Sequence, residues 1–260
     1  MWLDAVDLRD FYASGLGQAA RRLIGRRLRL MWPDVRGCRV LGVGYATPFL
    51  RPFRAEAERV VATMPATQGA IAWPPDGGGL VALTEDVILP FPDRAFDRIL
   101  LVHALENTGH ARALMREAWR VLTDGGRMIV VVPNRQGVWA RLERTPFALG
   151  RPYSAQQLHS LLRDTMFAPL TTGRALFLPP LRKRLFLPWS GAVERFGIRW
   201  FPGISGVVLV EAGKQIYAAP GDGARAGARA YLSLSRSMRL GPSGRGARQV
   251  NRTRREDAPG

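Results

Sequence analysis

The stretch that decides the fold is Leu89-Pro90-Phe91-Pro92-Asp93-Arg94-Ala95-Phe96-Asp97-Arg98-Ile99-Leu100-Leu101-Val102. Its two prolines lack a backbone donor and have a fixed φ, so they stiffen the approach to the apolar run behind them. Phe96-Asp97 opens that run with one side chain suited to burial and one suited to capping, and Phe96 to Val102 has the length and apolar character of a buried strand. A helical pattern follows from about His110 to Leu122 and stops at Gly125-Gly126. There a bare backbone allows the positive φ of a reversal into the next strand. Arg127 to Val132 is that strand, closed by Pro133.

Working toward the N-terminus, Leu80 to Leu83, Arg59 to Met64 (stopped by Pro65) and Cys38 to Gly44 read as three more short apolar strands, with a helix expected from about Pro48 to Ala57. Leu8 to Leu30 alternates apolar and arginine positions at helical spacing, as one or two amphipathic helices. Working toward the C-terminus, Ser154 to Arg163 reads as a helix. Thr172 to Leu178 and Val207 to Tyr217 read as strands, the latter interrupted near Gly213 and the two pairing antiparallel at one edge. Strands separated by helices indicate parallel crossovers covered on both faces. The reading is therefore an α/β fold, a Rossmann-like doubly wound, mostly parallel sheet with an antiparallel edge strand. Three regions are expected: a helical cap at 1–35, the Rossmann domain at 36–220, and a basic, disordered tail at 221–260.

Composition narrows the setting. The net charge is +17 over 260 residues, and the tail supplies nine arginines against Asp222, Glu256 and Asp257, so it carries about a third of the excess. Only Lys183 and Lys214 are lysines, a usage that points to coding bias as much as to a selected basic surface. No aromatic-basic interleaving or zinc-finger spacing accompanies the charge, so a nucleic-acid partner is not expected. The apolar runs are far shorter than a membrane span. An acidic N-terminus unlike a secretory signal and the single Cys38 point to cytoplasmic residence without disulfides or a cysteine-rich metal site. No His/Asp/Glu spacing suggests a metal.

Three blocks carry a family resemblance: Leu89 to Leu100, then Ala104-Leu105-Glu106-Asn107, then Arg116-Glu117-Ala118-Trp119-Arg120-Val121-Leu122-Thr123-Asp124-Gly125-Gly126-Arg127. In this order and spacing the chain resembles the class I S-adenosyl-L-methionine (SAM)-dependent methyltransferases of the type 11 kind. There, L-P-F-x-D-x-x-F-D precedes strand four, L-E-H follows it, and R-E-x-x-R-V-L-x-P-G-G leads into strand five. The similarity covers about 38–135, and Arg151-Pro152-Tyr153-Ser154 extends it to about 167.

The resemblance implies SAM as cofactor, bound where the strands end and a crevice opens. By family pattern, Leu41-Gly42-Val43-Gly44-Tyr45-Ala46-Thr47-Pro48 stands where the first strand ends in an acid followed by G-x-G-x-G. Gly44 fits the first glycine, Ala46 and Pro48 replace the others, Tyr45 lies between, and Gly42 holds the place of the acid. Strand two offers Ala62-Thr63-Met64 in place of an acid for the ribose, so Thr63 would make one bond and Met64 would pack on the adenine. Glu85 or Asp86 would receive the adenine amino group. His103, just after strand four, points toward the crevice as a cofactor contact, an acceptor contact or a general base. Tyr12 is expected either in the core or closing over the cofactor, and His110 and His159 on helix surfaces. The acceptor pocket would be roofed by the N-terminal helices and the segment Trp139 to Pro152.

Two functions of different kinds follow. One is methyl transfer from SAM to a small-molecule acceptor, which positioning alone can drive. The other is a non-catalytic binding or regulatory protein with a protein partner, suggested by the two missing acids; it implies a crevice that is blocked or binds another ligand. The first reading expects Asp at position 42 to restore cofactor binding.

Overall fold

The structure is a computed structural model, and it describes residues 4–75, 77–85, 87–142, 145–180, 190–200 and 202–216. Asp86 and the tail 221–260 lie outside the described residues. Two helices lead, α1 (Ala5–Ala13) and α2 (Gly15–Met31). Asp4 caps α1 by accepting from Val6 N at 3.0 Å, and Ser14 caps α2 by accepting from Gly17 N at 3.1 Å. Then come β1 (Arg39–Gly44), the one-turn helix α3 (Thr47–Leu50), β2 (Arg59–Pro65), β3 (Val81–Thr84), β4 (Phe96–Val102), α4 (Ala111–Val121) and β5 (Leu122–Pro133). The chain continues through α5 (Ala155–Asp164), β6 (Phe167–Ala175), α6 (Ser190–Trp200) and β7 (Val207–Lys214).

Seven strands form one sheet in the order β3-β2-β1-β4-β5-β7-β6. The pairs from β3 through β5 are parallel, whereas β7 pairs antiparallel with both β5 and β6, so the reversed direction sits at that side of the sheet. Order reverses between β1 and β4, and their adjacent carboxyl ends are where such a sheet opens a crevice. Alternating side chains split into two cores. One carries Leu8, Tyr12, Leu23, Ile24 and Leu28 of α1 and α2 against Val40, Leu100, Ile129 and Leu209. The other carries Leu114, Met115, Ala118, Leu158 and Leu162 of α4 and α5 against Leu41, Val43, Ile99, Leu101 and Val130.

Four local expectations change. The helix expected from Pro48 to Ala57 is α3 plus a single 3-10 turn at Arg51–Phe53, because Pro52 interrupts the i→i−4 ladder. Gly125 and Gly126 do not take positive φ. Helix α4 passes directly into β5 at Leu122, and Gly126 is required for space, since a Cβ there would lie 2.6 Å from the Leu122 side chain. Strand β6 begins at Phe167, five residues before the expected Thr172, because it pairs along β7 as far as Lys214. His159 is half-buried, its Nε2 2.8 Å from Thr172 Oγ1, and burial lowers its pKa. Helix α6 was not expected at all. Its Glu194 carboxylate accepts from Leu176 N and Phe177 N at 2.9 Å each, tying the helix to the end of β6.

Candidate functional site

The best-read block and α4 lock together through one arginine. Arg120 donates to Leu89 O (2.9 Å), Phe91 O (2.8 Å), Asp93 Oδ1 (2.8 Å) and both oxygens of Glu117. Glu117 in turn accepts from Leu89 N at 3.0 Å. The Arg120 side chain and the Leu89 amide hold the Glu117 carboxyl below its usual range. Asp97 accepts from the Arg39 backbone and side chain, which joins β4 to β1. All of this lies at the amino side of the sheet and builds the scaffold.

At the carboxyl end of β4 the backbone turns through His103 at φ +52°, a left-handed conformation that costs a non-glycine residue on the order of 1–2 kcal/mol. Two amides hold it there: Gln68 Nε2 and Asn107 Nδ2 both donate to His103 O, at 3.2 and 3.0 Å. The ring is 1% exposed. Its Nε2 lies 2.8 Å from Tyr12 Oη, and its Nδ1 lies 3.2 Å from Glu106 Oε1 without the alignment of a hydrogen bond. Burial first, then the nearby Glu106 carboxylate and Tyr45, push the Tyr12 hydroxyl well above its usual pKa. Tyr12 therefore keeps its proton; with the ring proton of His103 assigned to Nδ1, which faces Glu106, the Tyr12 hydroxyl donates to Nε2. His103 Nδ1 and Glu106 Oε2 are buried with no hydrogen-bond partner in the protein.

Aromatic rings close over this point. Tyr12 stacks on Tyr45 (5.8 Å, 12°) and meets Phe49 edge-on at 5.6 Å, while Phe147 lies 5.0 Å from the His103 ring. Phe147 also meets Trp139 edge-on, so α1 and the 139–152 segment converge on His103. Gly150, at φ +80°, lets that segment press down, since a Cβ there would lie 2.5 Å from Glu106 O.

The residues singled out for the cofactor occupy different surroundings. Gly44 takes φ +77°, and a Cβ on it would overlap Val102 O and lie 2.8 Å from Ala104 Cβ, so bare backbone is required there. Tyr45 and Ala46 are buried beside it, and burial raises the Tyr45 hydroxyl to about 12. A Cβ on Gly42 would lie 2.5 Å from Leu50 Cδ1 and 2.9 Å from Ala46 Cβ, so a side chain there requires the buried Leu50 to move. This removes the expectation that Asp at position 42 restores binding. Thr63 is fully buried, its hydroxyl 3.4 Å from Gly42 O. Met64 is in the core, with its sulfur accepting from Ile71 N at 3.5 Å, while Glu85 lines a separate hollow with Val43, Pro65, Gln68, Ala104 and Asn107. That hollow has a cavity volume of about 10 Å³, room for a single water molecule. The space against Gly44 is taken by the chain's own Val102 O and Ala104, so the buried His103 Nδ1 and Glu106 Oε2 are what the site offers a polar ligand.

Glu106, Gln68, Asn107 and Phe147 join this site without having been singled out as site residues. Glu106 and Asn107 were quoted within the second family block, so their place in the motif was the available signal; nothing in the sequence marks Gln68 or Phe147. His110 is exposed at the start of α4, and among the described residues no group of three or more His, Cys, Asp or Glu is placed to hold a metal. Among the same residues no helix is long and apolar enough to cross a membrane.

Comparison with known proteins agrees with this architecture. Residues 25–130 match the family model described as a methyltransferase domain. An uncharacterized protein of Mycobacterium tuberculosis is 32% identical over 110 residues, 40% of this chain and 39% of the relative. A ubiquinone/menaquinone biosynthesis C-methyltransferase of Cupriavidus taiwanensis is 36% identical over 64 residues, 25% of this chain and 26% of that one. The matches thus span about two fifths or less of these relatives' lengths. Among solved structures, a SAM-dependent methyltransferase of Thermotoga maritima, titled a possible histamine N-methyltransferase, superposes with TM-score 0.55 at 17% identity, covering 80% of this chain and 94% of that one. At that identity the likeness is one of fold.

Proposed function

From the match of residues 25–130 to a methyltransferase domain, we propose that the chain is a class I methyltransferase that transfers a methyl group from S-adenosyl-L-methionine to a small-molecule acceptor at the carboxyl edge of its sheet. The observation that carries this is His103. Left-handed residues occur elsewhere in the fold at Arg94, Met166 and Leu176, but His103 combines that backbone with two side-chain amides on its carbonyl and a buried carboxylate 3.2 Å from its ring, and this combination supports a functional role. The Gly44-Tyr45-Ala46 backbone would lie along the methionine half of the cofactor and Glu85 at its nucleoside end. Bound there, the cofactor supplies an electrophilic methyl group on a sulfonium. The chain's own contribution is to orient the acceptor and exclude water, and closely set walls do both. In this reading residues 1–35 cap the crevice of the 36–220 domain, the partner is a small molecule rather than nucleic acid, and the protein works in the cytoplasm.

The small cavity and the neutral Gly42 and Thr63 favour a second reading, a non-catalytic methyltransferase-fold protein that binds or regulates a protein partner. Isothermal titration with SAM and with S-adenosylhomocysteine separates the two. The first reading expects saturable binding below millimolar in the wild type and in Tyr12→Ala. No heat at millimolar cofactor in either protein leaves the second.

A further inference from the structure

Tyr12 behaves as an occupant of the site as much as a member of the core. It reaches His103 across 91 positions of chain, from a helix outside the sheet. Its ring lies parallel to Tyr45, with Phe49 edge-on, and its one polar atom meets His103 Nε2 at 2.8 Å. The receiving group is built with unusual expense for a core tyrosine: a left-handed backbone, two amides fixing the carbonyl, and a buried carboxylate behind the imidazole whose second oxygen is unused. A buried hydroxyl needs one acceptor, which any backbone carbonyl provides. A His backed by Glu provides more, because its Nδ1 proton can lean on the carboxylate as Nε2 takes up charge.

We infer that Tyr12 fills a slot for a planar aromatic ring carrying a hydroxyl, and that a phenolic ligand displaces it and donates its own hydroxyl to His103 Nε2. The slot selects the ring through Tyr45 and Phe49 and the hydroxyl through His103, with Glu106 as the positioning group behind it. On ionisation the ligand's O–H bond breaks and an N–H bond forms at Nε2, giving an imidazolium beside the Glu106 carboxylate and a phenolate in the slot. This rests on the methyltransferase reading, for which it names the acceptor class, but the ring-binding step needs no cofactor.

The test uses the full chain, without cofactor, and 4-methylphenol as the probe, with toluene as the ring that lacks the hydroxyl. Hydrogen exchange across α1 decides it. At saturating 4-methylphenol the amides of residues 5–13 should exchange about tenfold faster as Tyr12 leaves, and at equal toluene they should not. In Tyr12→Ala, 4-methylphenol should bind about tenfold more tightly than toluene, since toluene leaves Nε2 unpaired. The preference should vanish in Tyr12→Ala/His103→Phe. Unchanged exchange in the wild-type chain, or the same change with both probes, overturns the slot and returns Tyr12 to the core; this arm needs no variant to fold. Because cofactor is absent, failure here leaves the titration with SAM to stand or fall separately.

Discussion

The two ends of β4 show opposite treatments of polar groups. At the amino end, Asp97 is joined to Arg39 and Thr123, and Arg120 spends its guanidinium on two carbonyls and two carboxylates. At the carboxyl end, His103 Nδ1 and Glu106 Oε2 are buried and unmatched; each end has a left-handed residue, Arg94 at φ +57° and His103 at φ +52°, and at His103 two side-chain amides hold the carbonyl. Most polar groups that serve the fold are satisfied within it, with Arg27 Nε and Arg98 Nε as buried exceptions. Polar groups left unsatisfied, yet fixed by neighbours, are better explained by something outside the chain. The residues that carry the family likeness lie mostly at the first end, and those that depart from the family pattern lie at the second.

The sharpest test of that contrast is Gly42→Asp. It would force a carboxylate between the buried side chains of Leu50 and Ala46, combining steric overlap with a buried charge. A loss of about 3–5 kcal/mol in urea unfolding is expected, and no gain in cofactor binding. A stable Gly42→Asp protein that binds SAM would break the contrast, since the crevice would then be open to repair.

Next in size is Arg120→Ala at the satisfied end. It removes the donor to Leu89 O and Phe91 O and the charge partner of Glu117, which keeps the Leu89 amide, and of Asp93, which is exposed; since charged hydrogen bonds contribute about 1.5–3 kcal/mol each and partial exposure discounts them, a net loss of about 2–3 kcal/mol is expected by the same measurement. An unchanged midpoint would mean that the family block is not held by this arginine.

How much of this was legible follows the same division. Strands β1, β2, β4 and β5 show in the sequence because parallel strands covered on both faces are continuous apolar runs. The absence of acids at Gly42 and Thr63 was equally plain. What filled the space was not. Leu50 reaches Gly42 because α3 is a single turn, and Tyr12 reaches His103 through tertiary packing, which no local pattern encodes. Gly125-Gly126 misled for a related reason: the pair suggests a positive-φ turn, whereas crowding against Leu122 is what makes Gly126 necessary. Helix α6 has glycines at 191 and 197 that mask its helical pattern, although Gly197 is needed to pass Phe177.

Two glutamates allow the same substitution to be read at each end. Glu106→Gln replaces a buried carboxylate, one oxygen of which has no partner, by a neutral amide that is cheaper to bury; a gain of about 1 kcal/mol is expected, the stability commonly given up at functional positions. Glu117→Gln removes the charge from a matched pair, and a loss of about 1 kcal/mol is expected. Equal signs in thermal unfolding of the two variants would remove the distinction between satisfied and held-open polarity.

The smallest effect lies in the pH dependence of the same glutamate. Glu117 is depressed below its ordinary 4.5 by the hydrogen bond from the Arg120 side chain, opposed by partial burial and assisted by the Leu89 amide. A group whose folded pKa is the lower one binds fewer protons folded than unfolded, so its contribution is complete above about the unfolded value and is lost as pH falls through the folded one. Stability should therefore be level with respect to this group above pH 4.5 and decline below it. The wild-type and Glu117→Gln curves should converge as the solution becomes more acid, because protonation removes in the wild type the charge that the variant already lacks. A constant separation between the curves down to the acid transition would show that Glu117 contributes through packing, and the clamp would then rest on the bonds from Arg120 to the two carbonyls alone.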